Sequence, residues 1–284
     1  MNNKEFGHYT TQEGLMGIID SEKIWATNIK FLNDEQECQH ALDLIKAIVP
    51  TSKIKEVHRH HEVFKQFSSE LESGLDLIDD YLAQHIFTFS FSQETDLLSQ
   101  WRGYCSENNG FCLVFNIDEI FEQIKSEFEK KEEYEHDNVY LKTCIYEKED
   151  KEKEIKEVLN KYWPKYLSVS EETDKRSIID ESLNEIKLLA SYFKNTAFSE
   201  ENEKRIVVML NYAADSNLKF REGRFSLIPY IELPVLRGCI KKICIGPTLN
   251  KKLSGRSLAI FLEKNYGTWN EPKVDCSVIP YRPL

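Results

Sequence analysis

Phe87-Thr88-Phe89-Ser90-Phe91-Ser92 opens the stretch on which the fold of this chain turns. Aromatic and small hydroxyl side chains alternate there with period two, the pattern of a strand with one apolar and one polar face. The stretch closes with Gly110-Phe111-Cys112-Leu113-Val114-Phe115, an apolar run that reads as a buried strand. Between them lies Asp96-Leu97-Leu98-Ser99-Gln100-Trp101-Arg102-Gly103-Tyr104, a connector with Trp, Arg and Tyr close together. A plain connector is built from Gly, Asn, Asp or Ser. The bulkier side chains predict that this stretch forms one wall of a ligand pocket.

Upstream, Phe6 to Thr10 reads as a first strand, and Thr10 or Thr11 caps a helix that runs to Asp20. Ile24 to Thr27 is a second strand. Phe31 to Glu37 is a turn that opens a helix continuing from Ala41 to Val49, and Pro50 to Gln84 is a polar helical region. Within it, His58, His60 and His61 are close in sequence but lack the i, i+4 pairing of a helical metal site, so an exposed helix face is expected and no metal.

Downstream, Ile117 to Glu132 is patterned as an amphipathic helix and Leu141 to Tyr146 as a strand. The Glu/Lys run from Glu147 to Glu157 reads as a solvated helix face, with helical patterning to about Phe193. An acidic approach, Glu200-Glu201-Asn202-Glu203, then passes abruptly into the strand Lys204 to Leu210. Strand alternation places Glu201, Glu203 and Arg205 on one side. Phe220 to Gly223 reads as a turn. Leu227 to Leu233 reads as a strand in which Pro229 marks an edge or bulge. Ile240 to Gly246 is a further strand, Leu258 to Lys264 a short helix, and Val274 to Arg282 a closing strand. Strands at both ends with helices between them predict one mixed α+β domain over residues 1–284, with helical insertions at about 37–84 and 147–193.

Composition narrows the classes. With 37 Lys+Arg against 48 Asp+Glu, the net charge of -11 disfavours strong non-specific nucleic-acid binding. Seven scattered cysteines without a CxxC pair suggest reduced core thiols in a cytoplasmic protein rather than a disulfide framework or zinc site. The N-terminal residues do not read as a signal peptide, and no long apolar segment suggests a membrane span.

His8-Tyr9-Thr10, Trp25-Ala26-Thr27, Leu32-Asn33-Asp34, Phe89-Ser90, Leu98 to Tyr104, Gly110-Phe111, Glu200 to Arg205, Ile228-Pro229-Tyr230, Ile245-Gly246-Pro247 and Ile279-Pro280-Tyr281-Arg282 resemble blocks of a bacterial family of uncharacterised function. That family is grouped with the ADP-ribosyltransferase-like folds, and carries an aromatic residue where this chain has Lys204. The resemblance implies mixed, mostly antiparallel sheets of ADP-ribosyltransferase-like type. It also implies NAD as substrate, in an ADP-ribosyltransferase or NAD glycohydrolase with a role as toxin or phage-defence effector. The acceptor is an unknown macromolecule or water, and a regulatory protein partner is compatible with this reading. The catalytic positions it implies are His8 on the first strand, Ser90 or Tyr104 in the middle, and Glu203 opening a late strand, with Glu201 as the first acid of an acid-x-acid pair.

The chemistry stands beside the resemblance. Cleaving an N-glycosidic bond builds positive charge on the ribose, which a nearby carboxylate such as Glu203 stabilises while bonding the 2′-hydroxyl. Trp101 or Tyr104 would stack on nicotinamide, and Arg102 or Arg205 would fork onto the pyrophosphate. His8, with Tyr9, Thr10 and Ser90 beside it, would contact the cofactor ribose. The alternative is a non-catalytic module of the same fold that binds a nucleotide or a protein.

Overall fold

The computed structural model describes residues 4–32, 35–49, 60–105, 110–130, 138–210, 217–267 and 271–280, with the backbone alone at 35–38 and 78–84. The Asn33-Asp34, His58 and Tyr281-Arg282 parts of the sequence reading lie outside these residues. The architecture is α+β, with a mixed, mostly antiparallel open sheet and helices packed on it.

The period-two stretch forms β3 (Ile86–Ser92), the strand that joins the parts of the sheet. Along one edge it pairs in full with β6 (Glu203–Met209), from Ile86 opposite Met209 to Ser92 opposite Glu203. β6 in turn pairs with β5 (Asn138–Thr143). The other edge of β3 is shared. β1 (Glu5–Thr11) meets it at Gly7 opposite Ser92, and β2 (Lys23–Asn28) at Thr27 opposite Thr88. The sheet therefore forks. One wing runs from β1 through β4 (Gly110–Asn116) and β9 (Ile240–Ile245) to the parallel edge strand β10 (Lys273–Cys276). The other runs from β2 through β8 (Leu227–Pro234) to β7 (Lys219–Glu222).

The helix α1 (Gln12–Ser21) spans the fork, and its N-cap Thr11 accepts a hydrogen bond from the Gly14 N–H. At the fork, the Ser90 carbonyl lies between the two pairings. The His8 imidazole bonds it through Nδ1 at 3.0 Å, satisfying a group that no β-ladder reaches there.

Side-chain alternation sends Phe87, Phe89 and Phe91 to one face, into a core with Phe6, Ile24, Leu113, Ile206 and α5 (Ile117–Glu129). The opposite face meets the helices α2 (Glu35–Ile48), α3 (His61–His85), α6 (Lys148–Ser168) and α7 (Glu172–Ala190), which share a second core around Phe67, Trp163, Tyr166 and Val207. The two helical stretches expected as separate insertions thus pack into one lobe. In α6 the Glu/Lys run faces out while Ile155, Leu159 and Trp163 face in.

The connector forms a short helix, α4 (Leu98–Tyr104), against β1. Trp101 packs edge-on to Tyr9, and its indole N–H donates to Asp96 at 2.7 Å. Asp96 also accepts from the Ser277 hydroxyl and the Val278 N–H, which ties the C-terminal segment to the connector. Gly246 lies against this ring, where an added Cβ would stand 2.9 Å from Trp101 and from the Gly110 carbonyl. Gly246→Ala is expected to cost about 1–3 kcal/mol through forced repacking, read as a lower urea midpoint. An unchanged midpoint would mean that the ring yields freely.

Some sequence expectations are corrected. Phe220 to Glu222 belongs to strand β7; the turn is 223–226, between the paired residues Glu222 and Leu227. A short polar strand on a sheet edge lacks the apolar alternation that reveals buried strands. The last helix, α8, is longer than expected (Lys251–Tyr266), begun by an Asn250 side-chain cap. The closing strand is only β10, because the chain leaves the ladder after Cys276 to reach Asp96. Pro229 sits one residue past the last rung between β2 and β8, where no donor is needed.

Candidate functional site

The acidic approach to β6 builds a buried charge cluster. The turn Thr196–Glu201 ends in Asn202, held at φ 42°, a left-handed conformation that Asn tolerates. This kink lets Glu201, outside the strand, and Glu203, its first residue, converge on Lys194. The Lys194 ammonium donates to Glu201 at 2.6 Å and also to Glu203. Arg205 donates through Nε to Glu203 at 2.6 Å and through Nη1 to the Ser191 carbonyl at 2.9 Å. Glu203, Arg205 and Lys194 are each 5% exposed or less.

Neighbouring elements hold these groups in place. Lys194 follows α7 on a segment whose backbone bonds Ile145 in both directions. Tyr146 accepts the Glu203 N–H at 2.8 Å, and the Ser92 hydroxyl donates to the Glu201 carbonyl at 2.7 Å.

The electrostatics separate the two acids. Burial alone would raise the pKa of Glu203, but Arg205 and then Lys194 outweigh it and hold the carboxyl at about 2. Burial keeps Glu201 above its ordinary value despite Lys194. Tyr104, at the end of α4, is 40% exposed and within electrostatic reach of Lys194, Glu201, Glu203 and Arg205. Its phenol is pushed up to about 12, first by burial, so it is a neutral hydroxyl at ordinary pH.

The structure thus gathers Glu203, Glu201, Arg205 and Tyr104 around Lys194. Ser90 pairs with Arg205 across the ladder. Tyr9 and Trp101 form an adjacent packed cluster; the Tyr9 hydroxyl donates to the Glu94 carbonyl at 2.7 Å and accepts from the Leu97 N–H at 2.9 Å. With the indole buried at 2% exposure, Tyr104 is the ring of the pair Trp101 and Tyr104 that meets solvent. Arg102 is exposed on α4, and the Thr10 carbonyl accepts from the Cys105 thiol.

His8 does not join the group. Gly7, Ser92 and Glu203 are in register, so His8 starts on the opposite face, where its ring lies 4.2 Å from Phe89. Burial lowers its pKa to about 4, against the bond to Ser90. Between the ordinary value of 6.5 and about 4, the unfolded chain therefore binds a proton that the folded chain does not. Stability falls as pH drops through that window. His8→Gln is expected to shrink the loss of melting temperature between about pH 7 and pH 5. The remainder belongs in part to His85, whose pKa burial also lowers. An unchanged pH slope in the variant would contradict this.

Lys194 and Tyr146 were missed by sequence reasoning. The available signal was a lone lysine directly after Tyr192-Phe193, an aromatic context that buries a cation only with a partner. A surface groove of about 340 Å³ lies beside the cluster, lined by Tyr146, Asn202, the acids Glu147, Asp150 and Glu154 and the single cation Lys153, among others. Its acidic rim opposes a pyrophosphate, so it is a poor bed for NAD. Among the described residues, no group of three or more His, Cys, Asp or Glu is placed to hold a metal ion. The described cysteines are free thiols, all buried except Cys276.

No curated protein and no solved structure matches the chain. Residues 100–206 are similar to a family described as a protein of unknown function (DUF2971), and this matched span contains Tyr104, Lys194, Glu201, Glu203 and Arg205 but not His8.

Proposed function

We propose that the protein cleaves the nicotinamide–ribose bond of NAD, as an ADP-ribosyltransferase or an NAD glycohydrolase. The observation that carries this reading is the buried Glu203, held by Arg205 and Lys194 at the start of a late strand and within electrostatic reach of the solvent-facing Tyr104. The bond from ribose to the pyridinium nitrogen breaks, and nicotinamide leaves neutral with the electron pair. The cationic ribose is captured by water or by an acceptor nucleophile, which gives up a proton. Glu203 accepts the 2′-hydroxyl hydrogen bond and stabilises the cation. Lys194 already bonds both acids, so it can stay on Glu201 while Glu203 turns one oxygen to the sugar. Tyr104 offers a ring for nicotinamide or a neutral hydroxyl for the ribose.

A second reading is a non-catalytic nucleotide-binding or protein-interaction module. It is favoured by the saturation of both Glu203 oxygens by cations at 3% exposure. Incubation of the purified chain with NAD distinguishes the two. Nicotinamide release above the spontaneous rate supports the enzyme. Calorimetric binding without release supports a nucleotide-binding module, and neither binding nor release rejects the enzyme and leaves the protein-interaction module.

A further inference from the structure

We propose that the β2–β8–β7 wing carries a ligand site of its own, for a small phosphate-bearing aromatic molecule of nucleotide type, built from Arg221, Thr27, Thr88, Trp25 and Tyr230. It stands on observations separate from Glu203 and lies outside the span of the family match.

The register places these side chains on one face. Thr27 is opposite Thr88 on one side and Tyr230 on the other, and Trp25 is opposite Glu232. Lys219 is opposite Tyr230, so Arg221, two residues on, shares that face. The contacts agree: Arg221 Nη2 donates to the Thr27 hydroxyl at 3.3 Å. At a strand spacing of about 4.8 Å and a rise of about 3.3 Å per residue, roughly 16 Å of sheet separates Thr27 from Glu203.

Two polar groups here are buried without a partner among the described residues: Arg221 Nε and the hydroxyl of Thr88, a residue only 2% exposed. A buried donor without a partner loses its water and gains nothing in exchange, so a pair of them on one face calls for an acceptor supplied from outside. An arginine has five N–H donors in a planar fork suited to phosphate oxygens. No acidic side chain answers Arg221 among the described residues. The nearby Glu232 is taken by Lys23 at 2.6 Å and by Lys219 at 2.9 Å. This face therefore carries excess positive charge on a chain whose net charge is -11.

The aromatic half lies beside it. Trp25 is 46% exposed, and its ring lies 4.5 Å from that of Tyr230 with a 30° tilt, leaving a shelf for a planar base. Phosphate oxygens on the fork with a base on the indole describe a nucleotide. The acidic chain argues against a nucleic-acid strand.

The test titrates the full chain with ADP, pyrophosphate, adenosine and a short single-stranded RNA, by calorimetry and Trp fluorescence. ADP is expected to bind more tightly than pyrophosphate or adenosine and to quench the indole. Arg221→Gln is expected to weaken ADP binding at least about 10-fold, as loss of a charged hydrogen bond implies. Thr88→Val is expected to weaken it about 3- to 10-fold with an unchanged or raised melting temperature, since a purely packing hydroxyl would not link these readouts. Absence of ADP binding, equal binding by both variants, pyrophosphate as tight as ADP, or RNA tighter than ADP would each overturn the proposal. Because ADP has no nicotinamide to lose, the result is independent of whether the chain cleaves NAD.

Discussion

Arg205→Met is expected to destabilise the fold by about 3–5 kcal/mol, the cost of stripping one partner from a buried ion pair. Arg205 is 2% exposed and bonds both Glu203 and the Ser191 carbonyl, so its loss orphans a carboxylate and the end of α7 together. Lys194 remains, but Glu201 already shares it. Urea unfolding at neutral pH measures the loss. The double variant Glu203→Gln with Arg205→Met should recover a large part of it, because no buried charge is then left uncompensated. A single-variant loss below about 1 kcal/mol would show that the cluster behaves like a solvated surface pair. Acid is expected to mimic the damage. The Glu203 pKa is depressed from 4.5 to about 2, so its stabilisation is complete above 4.5 and disappears as pH falls toward 2.

Glu203→Gln is expected to lower nicotinamide release from NAD by at least about 100-fold, the scale of losing one preorganised electrostatic contact to a developing charge. Glutamine keeps the shape and an oxygen for Arg205, but not the negative charge. Circular dichroism at the assay temperature separates this from unfolding. Turnover at the wild-type rate by the folded variant would remove Glu203 from the chemistry.

The forked sheet was only partly legible. β3 and β4 announced themselves through alternation and an apolar run, because burial on one or both faces leaves that imprint. The sharing of one β3 edge by β1 and β2 left no local trace, since it depends on where each distant partner stops pairing. Glu201, Glu203 and Arg205 were readable as a group from strand parity, although Glu201 reaches the cluster through the Asn202 kink instead. Lys194 was not readable, since α7 and a bridge to Ile145 bring it there. His8 stands apart for a related reason: the family resemblance implied a shared cleft, whereas the register of Gly7 with Ser92 starts the His8 side chain on the other face. Lys204, one residue on from Glu203 in the strand, lies with its ammonium 4.7 Å from the centre of the Phe6 ring, on the face away from Glu203.

The most direct test is a crystal structure of the protein with a non-hydrolysable NAD analogue. The account predicts the nicotinamide ribose within hydrogen-bond reach of a Glu203 oxygen, the Lys194 ammonium retained on Glu201, and Tyr104 against the nicotinamide end. No analogue ribose at Glu203, with Lys194 and Arg205 still closed over its carboxylate at a saturating concentration of the analogue, would contradict it.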